Sequence, residues 1–141
     1  MTKKGLFFTV LALTTGLLFS SCEKEDVLSK PVISGLEVGL NNSKIGYIGD
    51  DLHIEAEIVA EGLIDKIEVE IHPEGGDGKE ITVTYTKHAG SRNATLHEHI
   101  DIPADAVPGE YHLHLTVTDK AGNSTTVEEH VELKVQVAEA L

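Results

Sequence analysis

Seven short runs of alternating apolar and polar residues predict an all-β chain, because turn residues separate them and no segment shows a helical period. The class they point to is an antiparallel β-sandwich of immunoglobulin-like type. The alternation is cleanest over residues 111–118. There Tyr111, Leu113, Leu115 and Val117 interleave with His112, His114, Thr116 and Thr118. A period of two puts the first set on a buried face and the second in solvent. Asp119-Lys120-Ala121-Gly122-Asn123 then supplies turn chemistry.

The other runs follow in order. Pro31 opens a first strand over residues 32–40, a position where proline is tolerated. Residues 41–51 are rich in Asn, Gly and Asp and read as turns. Leu52, Ile54, Ala56 and Ile58 turn inward in the second strand, with His53, Glu55 and Glu57 outward. Residues 67–72 repeat the pattern, exposing Glu68, Glu70 and His72. Residues 81–85 form a fourth strand in which Ile, Val and Tyr alternate with Thr. In the fifth, residues 96–102, His97, His99 and Asp101 face out, and Glu98 falls on the inward side near an open end. The 111–118 run is the sixth strand. Val127, Val131, Leu133, Val135 and Val137 mark the seventh, with Glu128, His130 and Glu132 on its other face.

The first 21 residues stand apart from this domain. Lys3 and Lys4 precede an apolar stretch, 5–18, too short to span a bilayer comfortably. Small residues then lead to the only cysteine, Cys22. The arrangement predicts a lipoprotein signal peptide over 1–21 and a lipidated Cys22 as the mature N-terminus. Residues 22–30 form an acidic tether, and residues 31–141 the sandwich. A lipidated cysteine leaves no thiol for a disulfide or a nucleophile.

Removing the leader sharpens the composition. All three Phe and the only Met precede Cys22, and the chain has no Trp. The core must therefore be built of Ile, Val and Leu. Two of the 11 basic residues and none of the 24 acidic ones lie in the leader, so the mature chain carries −15 with His neutral. That charge excludes nucleic acid as a partner and favours cations.

All eight histidines lie in the mature domain. His97-Glu98-His99 and His112-Leu113-His114 each place two imidazoles on one outer face of a strand. With immunoglobulin-like strand order, the third, sixth and seventh strands share a sheet, and the second and fifth lie in the other. His72, His112, His114 and His130 then share one face, and His53, His97 and His99 the other. Adjacent strands lie about 4.8 Å apart, so imidazoles there can converge on one ion. The expected ligands are His97, His99, His112 and His114, with His53 and His72 added. Such donors suit Zn²⁺ or Cu²⁺.

Four stretches carry a family resemblance: Asp51-Leu52-His53-Ile54-Glu55, Ile71-His72-Pro73, residues 97–103 and Tyr111-His112-Leu113-His114 with the turn at 118–123. Over roughly residues 31–133 the chain resembles domain-of-unknown-function family 4625, small lipoproteins of the Bacteroidetes phylum. The resemblance implies a cell-envelope location and the sandwich, and supplies no activity.

The reading that follows is a lipid-anchored envelope protein, expected at the outer membrane and, from the resemblance of its acidic tether to the export signal of surface lipoproteins, exposed at the cell surface, that binds a divalent transition metal. The alternative is a metal-free immunoglobulin-like module that docks on an outer-membrane or extracellular partner. An enzyme is not expected, because no nucleophile elbow or other catalytic motif is present.

Overall fold

Alternating β-branched and polar residues favour extended backbone with one dry face, and eight strands result. The computed structural model describes residues 27–76 and 78–138. The expected signal segment 1–21, Cys22 and the first acids of the tether lie outside the described residues. The strands are β1 (Val32–Val38), β2 (Ile45–Tyr47), β3 (Asp51–Val59), β4 (Ile64–Pro73), β5 (Ile81–Tyr85), β6 (Asn93–Asp101), β7 (Gly109–Asp119) and β8 (Ser124–Lys134). A 3₁₀ turn, Leu40–Asn42, follows β1.

The strands form two sheets, ordered β1-β3-β6 and β2-β8-β7-β4-β5. As expected, β4, β7 and β8 share a sheet while β3 and β6 lie in the other. This is the immunoglobulin-like division, with β5 as the extra strand beside β4. Apolar residues from both inner faces meet in one core cluster. It includes Leu52, Ile54 and Ile58 from β3, Ile67, Val69 and Ile71 from β4, and Leu113, Leu115 and Val117 from β7. Each such side chain contributes about 1.5–3 kcal/mol by leaving water. No Trp or disulfide pins this core. A corner at the start of β7 is fastened instead by fully buried Tyr111, whose hydroxyl donates to the Val107 carbonyl at 2.8 Å.

Three departures from the sequence expectation have physical causes. The first strand stops at Val38, not Leu40, because Gly39, Asn41 and Asn42 take positive φ and turn the chain towards the second sheet. There it forms β2, which pairs parallel to β8. Three residues are too few to show a period, and Gly46 interrupts them. Gly46 packs closely under β8, since a Cβ there would lie 2.8 Å from Leu133 Cδ2 and that side chain would have to shift. Finally, β8 ends at Lys134, where both neighbours end: Tyr47 pairs with Lys134 and Gly109 with Leu133. Val135 and Val137 continue the alternation without a partner strand and stay exposed.

Glu98, on the inward parity of β6, is half-buried and ion-paired with Lys87. Burial, and then the charge of Glu98, push the Tyr85 phenol above its ordinary pKa. Asp119 closes the β7–β8 hairpin. One of its carboxylate oxygens accepts the Asn123 main-chain N–H at 2.8 Å and the other accepts Asn123 Nδ2 at 3.1 Å.

Candidate metal centre

Strand register decides which outward side chains meet. In the β3–β6 pair, Asp51 lies opposite Asp101, His53 opposite His99 and Glu55 opposite His97. The alternating residues of both strands thus build one outer block of three imidazoles and three carboxylates. The His53 ring centroid lies 5.0 Å from His97 and 5.3 Å from His99. One nitrogen from each of His53, His97 and His99 lies within 4.8 Å of the others. Tetrahedral zinc with imidazole ligands needs nitrogens about 3.4 Å apart, so small side-chain rotations suffice.

Carboxylates orient two of these rings. His97 Nδ1 lies 3.0 Å from Glu55 Oε2, and His99 Nδ1 lies 3.1 Å from Asp51 Oδ1. A carboxylate accepts only an N–H, so the neutral rings carry their protons on Nδ1 and leave the Nε2 lone pairs for an ion. Glu55 Oε2 also stands 4.0 Å from His53 Nε2. His53 is 9% exposed, while the side chains of His97 and His99 are 59% and 47% exposed. The site therefore has a buried floor and two exposed arms. His53 and His99 also border a cleft of about 250 Å³ lined by Tyr47, Asp50 and Gln136. Like-charged Asp51 and Asp101 face one another at its edge, an arrangement that a cation relieves.

The other outer face carries a straight row. His72 of β4 pairs with His112 of β7, which pairs with His130 of β8. The next row is Glu70, His114 and Glu128. Glu74, just past β4, joins His112 and His130 in a second group whose ligand atoms lie within 4.8 Å of one another. The His112 and His130 centroids are 4.7 Å apart.

The six histidines expected as ligands thus divide. His53, His97 and His99 converge. His112 converges with Glu74 and His130 instead. His72 and His114 bond to one another, Nε2 to Nε2, at 3.0 Å, with ring planes 11° apart. His72 Nδ1 lies 3.3 Å from the Pro73 carbonyl, which only an N–H satisfies. His114 Nε2–H is then the donor to His72 Nε2. His88, in the β5–β6 loop, joins neither group.

His130 was legible as a face partner but not as a ligand. Counting back symmetrically from the closing pair Thr118–Ser124 puts it opposite His112. Glu74 follows His72-Pro73 and carried no periodic signal, because it sits in a loop. Its placement rests on its main-chain N–H, which donates to the Glu110 carbonyl at 2.9 Å.

Comparison with known proteins assigns no activity. No curated protein matches the chain. A solved "GspB Siglec domain" is similar at 15% identity with a TM-score of 0.47, over 77% of this chain and 59% of that one. A family model described as "Domain of unknown function (DUF4625)" matches residues 20–134, and the chain belongs to that family.

Proposed function

We propose that this protein is a lipid-anchored cell-envelope protein whose His53–His97–His99 site binds a divalent transition metal, Zn²⁺ or Cu²⁺. The observation that carries the reading is the pairing of converging imidazoles with carboxylates on the far side of two rings. Carboxylate-held histidine is how proteins orient and strengthen imidazole ligands. Nitrogen and carboxylate donors suit zinc and cupric ions. The soft donors are scarce, since the only Cys and Met are Cys22 and Met1.

Binding, rather than catalysis, fits the site. Two of its three imidazoles stand in water on an open sheet, which does little to exclude solvent from a reacting group. The envelope location is supported by the apolar leader and Cys22. Anchoring would hold the acidic domain at the outer membrane, where it takes up the ion.

Calorimetry at pH 7.5 on the untagged protein tests the reading. Micromolar or tighter Zn²⁺ and Cu²⁺ binding is expected, and His97→Gln with His99→Gln should weaken it at least 100-fold. Protons compete for imidazole, and free histidine titrates near pH ~6.5, so affinity should collapse towards pH 5. Diffuse attraction to the acidic surface would instead survive at pH 5 and fade with salt. Unchanged affinity in the double variant would overturn the His53–His97–His99 site, and no Zn²⁺ or Cu²⁺ binding by the wild type would favour the docking module.

A further inference from the structure

The opposite face of the sandwich holds histidines that the site above does not use. His112 and His130 stand directly opposite one another on β7 and β8. Glu74 reaches the same point from the end of β4, with Oε1 3.9 Å from His112 Nε2. Behind His112 stands Glu128, whose Oε1 is 2.8 Å from Nδ1. That contact is close in distance but off the axis of a hydrogen bond, so this buried nitrogen has no bonded partner. A small ring rotation would align Nδ1–H with Glu128 and repeat the carboxylate-held histidine of the first site. Glu110 and Glu132 pair in the adjoining row, where Glu132 also holds Lys134 at 2.9 Å.

We infer that Glu74, His112 and His130 form a second, independent divalent-metal site with two nitrogen donors and one oxygen donor. It differs from the first in chemistry, because a carboxylate replaces the third imidazole. The two sites cannot share an ion. The inner sheet faces alone are about 10 Å apart, and each site lies on an outer face. His72 and His114 lie outside both groups of converging ligand atoms, and their Nε2 atoms bond one another. The inference extends the metal reading above but rests on separate residues, so either can fail alone.

The test is zinc stoichiometry, by calorimetry and by elemental analysis after dialysis, with thermal melts to confirm folding. Glu74 has a 48% exposed side chain in a loop, so Glu74→Gln leaves the fold intact. Wild type is expected to hold two zinc ions. The His97→Gln, His99→Gln variant should hold one, and so should Glu74→Gln with His130→Gln. His72→Gln with His114→Gln should still hold two. One zinc in wild type, lost only in the His97/His99 variant, overturns the second site and leaves the first. One zinc lost only in the Glu74/His130 variant keeps the second site and overturns the first. No zinc in wild type overturns both. Loss of a zinc in the His72/His114 variant also overturns this inference, by moving the second site onto those rings.

Discussion

Glu55→Gln separates an oriented metal site from a chance gathering of histidines. Glu55 Oε2 lies 3.0 Å from His97 Nδ1, the contact that orients that ring, and 4.0 Å from His53 Nε2, beyond hydrogen-bond distance. It is not counted among the converging nitrogens, and its action on the ion passes through the His97 ring. Glutamine keeps the shape and one acceptor oxygen, so His97 Nδ1–H can still be satisfied. What it removes is the negative charge that makes the imidazole a stronger donor. Loss of such outer carboxylates weakens metal binding by about 10–100-fold, or about 1.4–2.7 kcal/mol. The lower end is expected for Gln, and Glu55→Leu, which removes the acceptor too, should reach the upper end. The metal-free fold should scarcely respond. The Glu55 side chain is 42% exposed, and exposed pairs contribute about 0–1 kcal/mol. The assay is Zn²⁺ calorimetry beside urea unfolding without metal. Affinity within twofold of wild type for both variants would refute the orienting role of Glu55.

The remaining predictions concern the fold and the anchor. Leu115→Ala should cost about 2–5 kcal/mol in urea unfolding, since Leu115 is fully buried between the sheets. His114→Ala, one residue away on the opposite face, should cost about 1 kcal/mol or less without metal, and equal losses would mean the facing is wrong. Tyr111→Phe removes one hydrogen bond to the Val107 carbonyl and should cost about 1 kcal/mol. An unchanged unfolding midpoint would show that the corner does not depend on the hydroxyl. Cys22→Ala should leave the domain folded and release it from membranes, and a variant that still sediments with membranes would refute the anchor.

The legibility of this chain stops where local period gives way to register. Alternation, taken with immunoglobulin-like strand order, assigned His53, His97 and His99 to one outer face and His72, His112, His114 and His130 to the other. The paired strands confirm that grouping. The same alternation overran the end of β8, because Val135 and Val137 keep the pattern after their neighbours have stopped. It passed over β2, because three residues around Gly46 carry no period at all.

Within a face, the partner of each histidine depends on how strands slide past one another. The β7–β8 register is local. A tight turn fixes it, so His130 opposite His112 follows from counting. The β4–β7 register is not local, since about 35 residues and two other strands intervene. It pairs His72 with His112 yet brings His72 close enough to His114 to bond diagonally. A His-x-His motif therefore does not guarantee a shared ion. His97 and His99 converge on His53, a single residue lying opposite one and diagonal to the other. His72 stands in the same relation to His112 and His114, but its Nε2 bonds that of His114, and His112 has a further strand beside it, β8, whose His130 ring is nearer than that of His72. What distinguishes the two motifs is the strand beside them, and only the folded sheet supplies it.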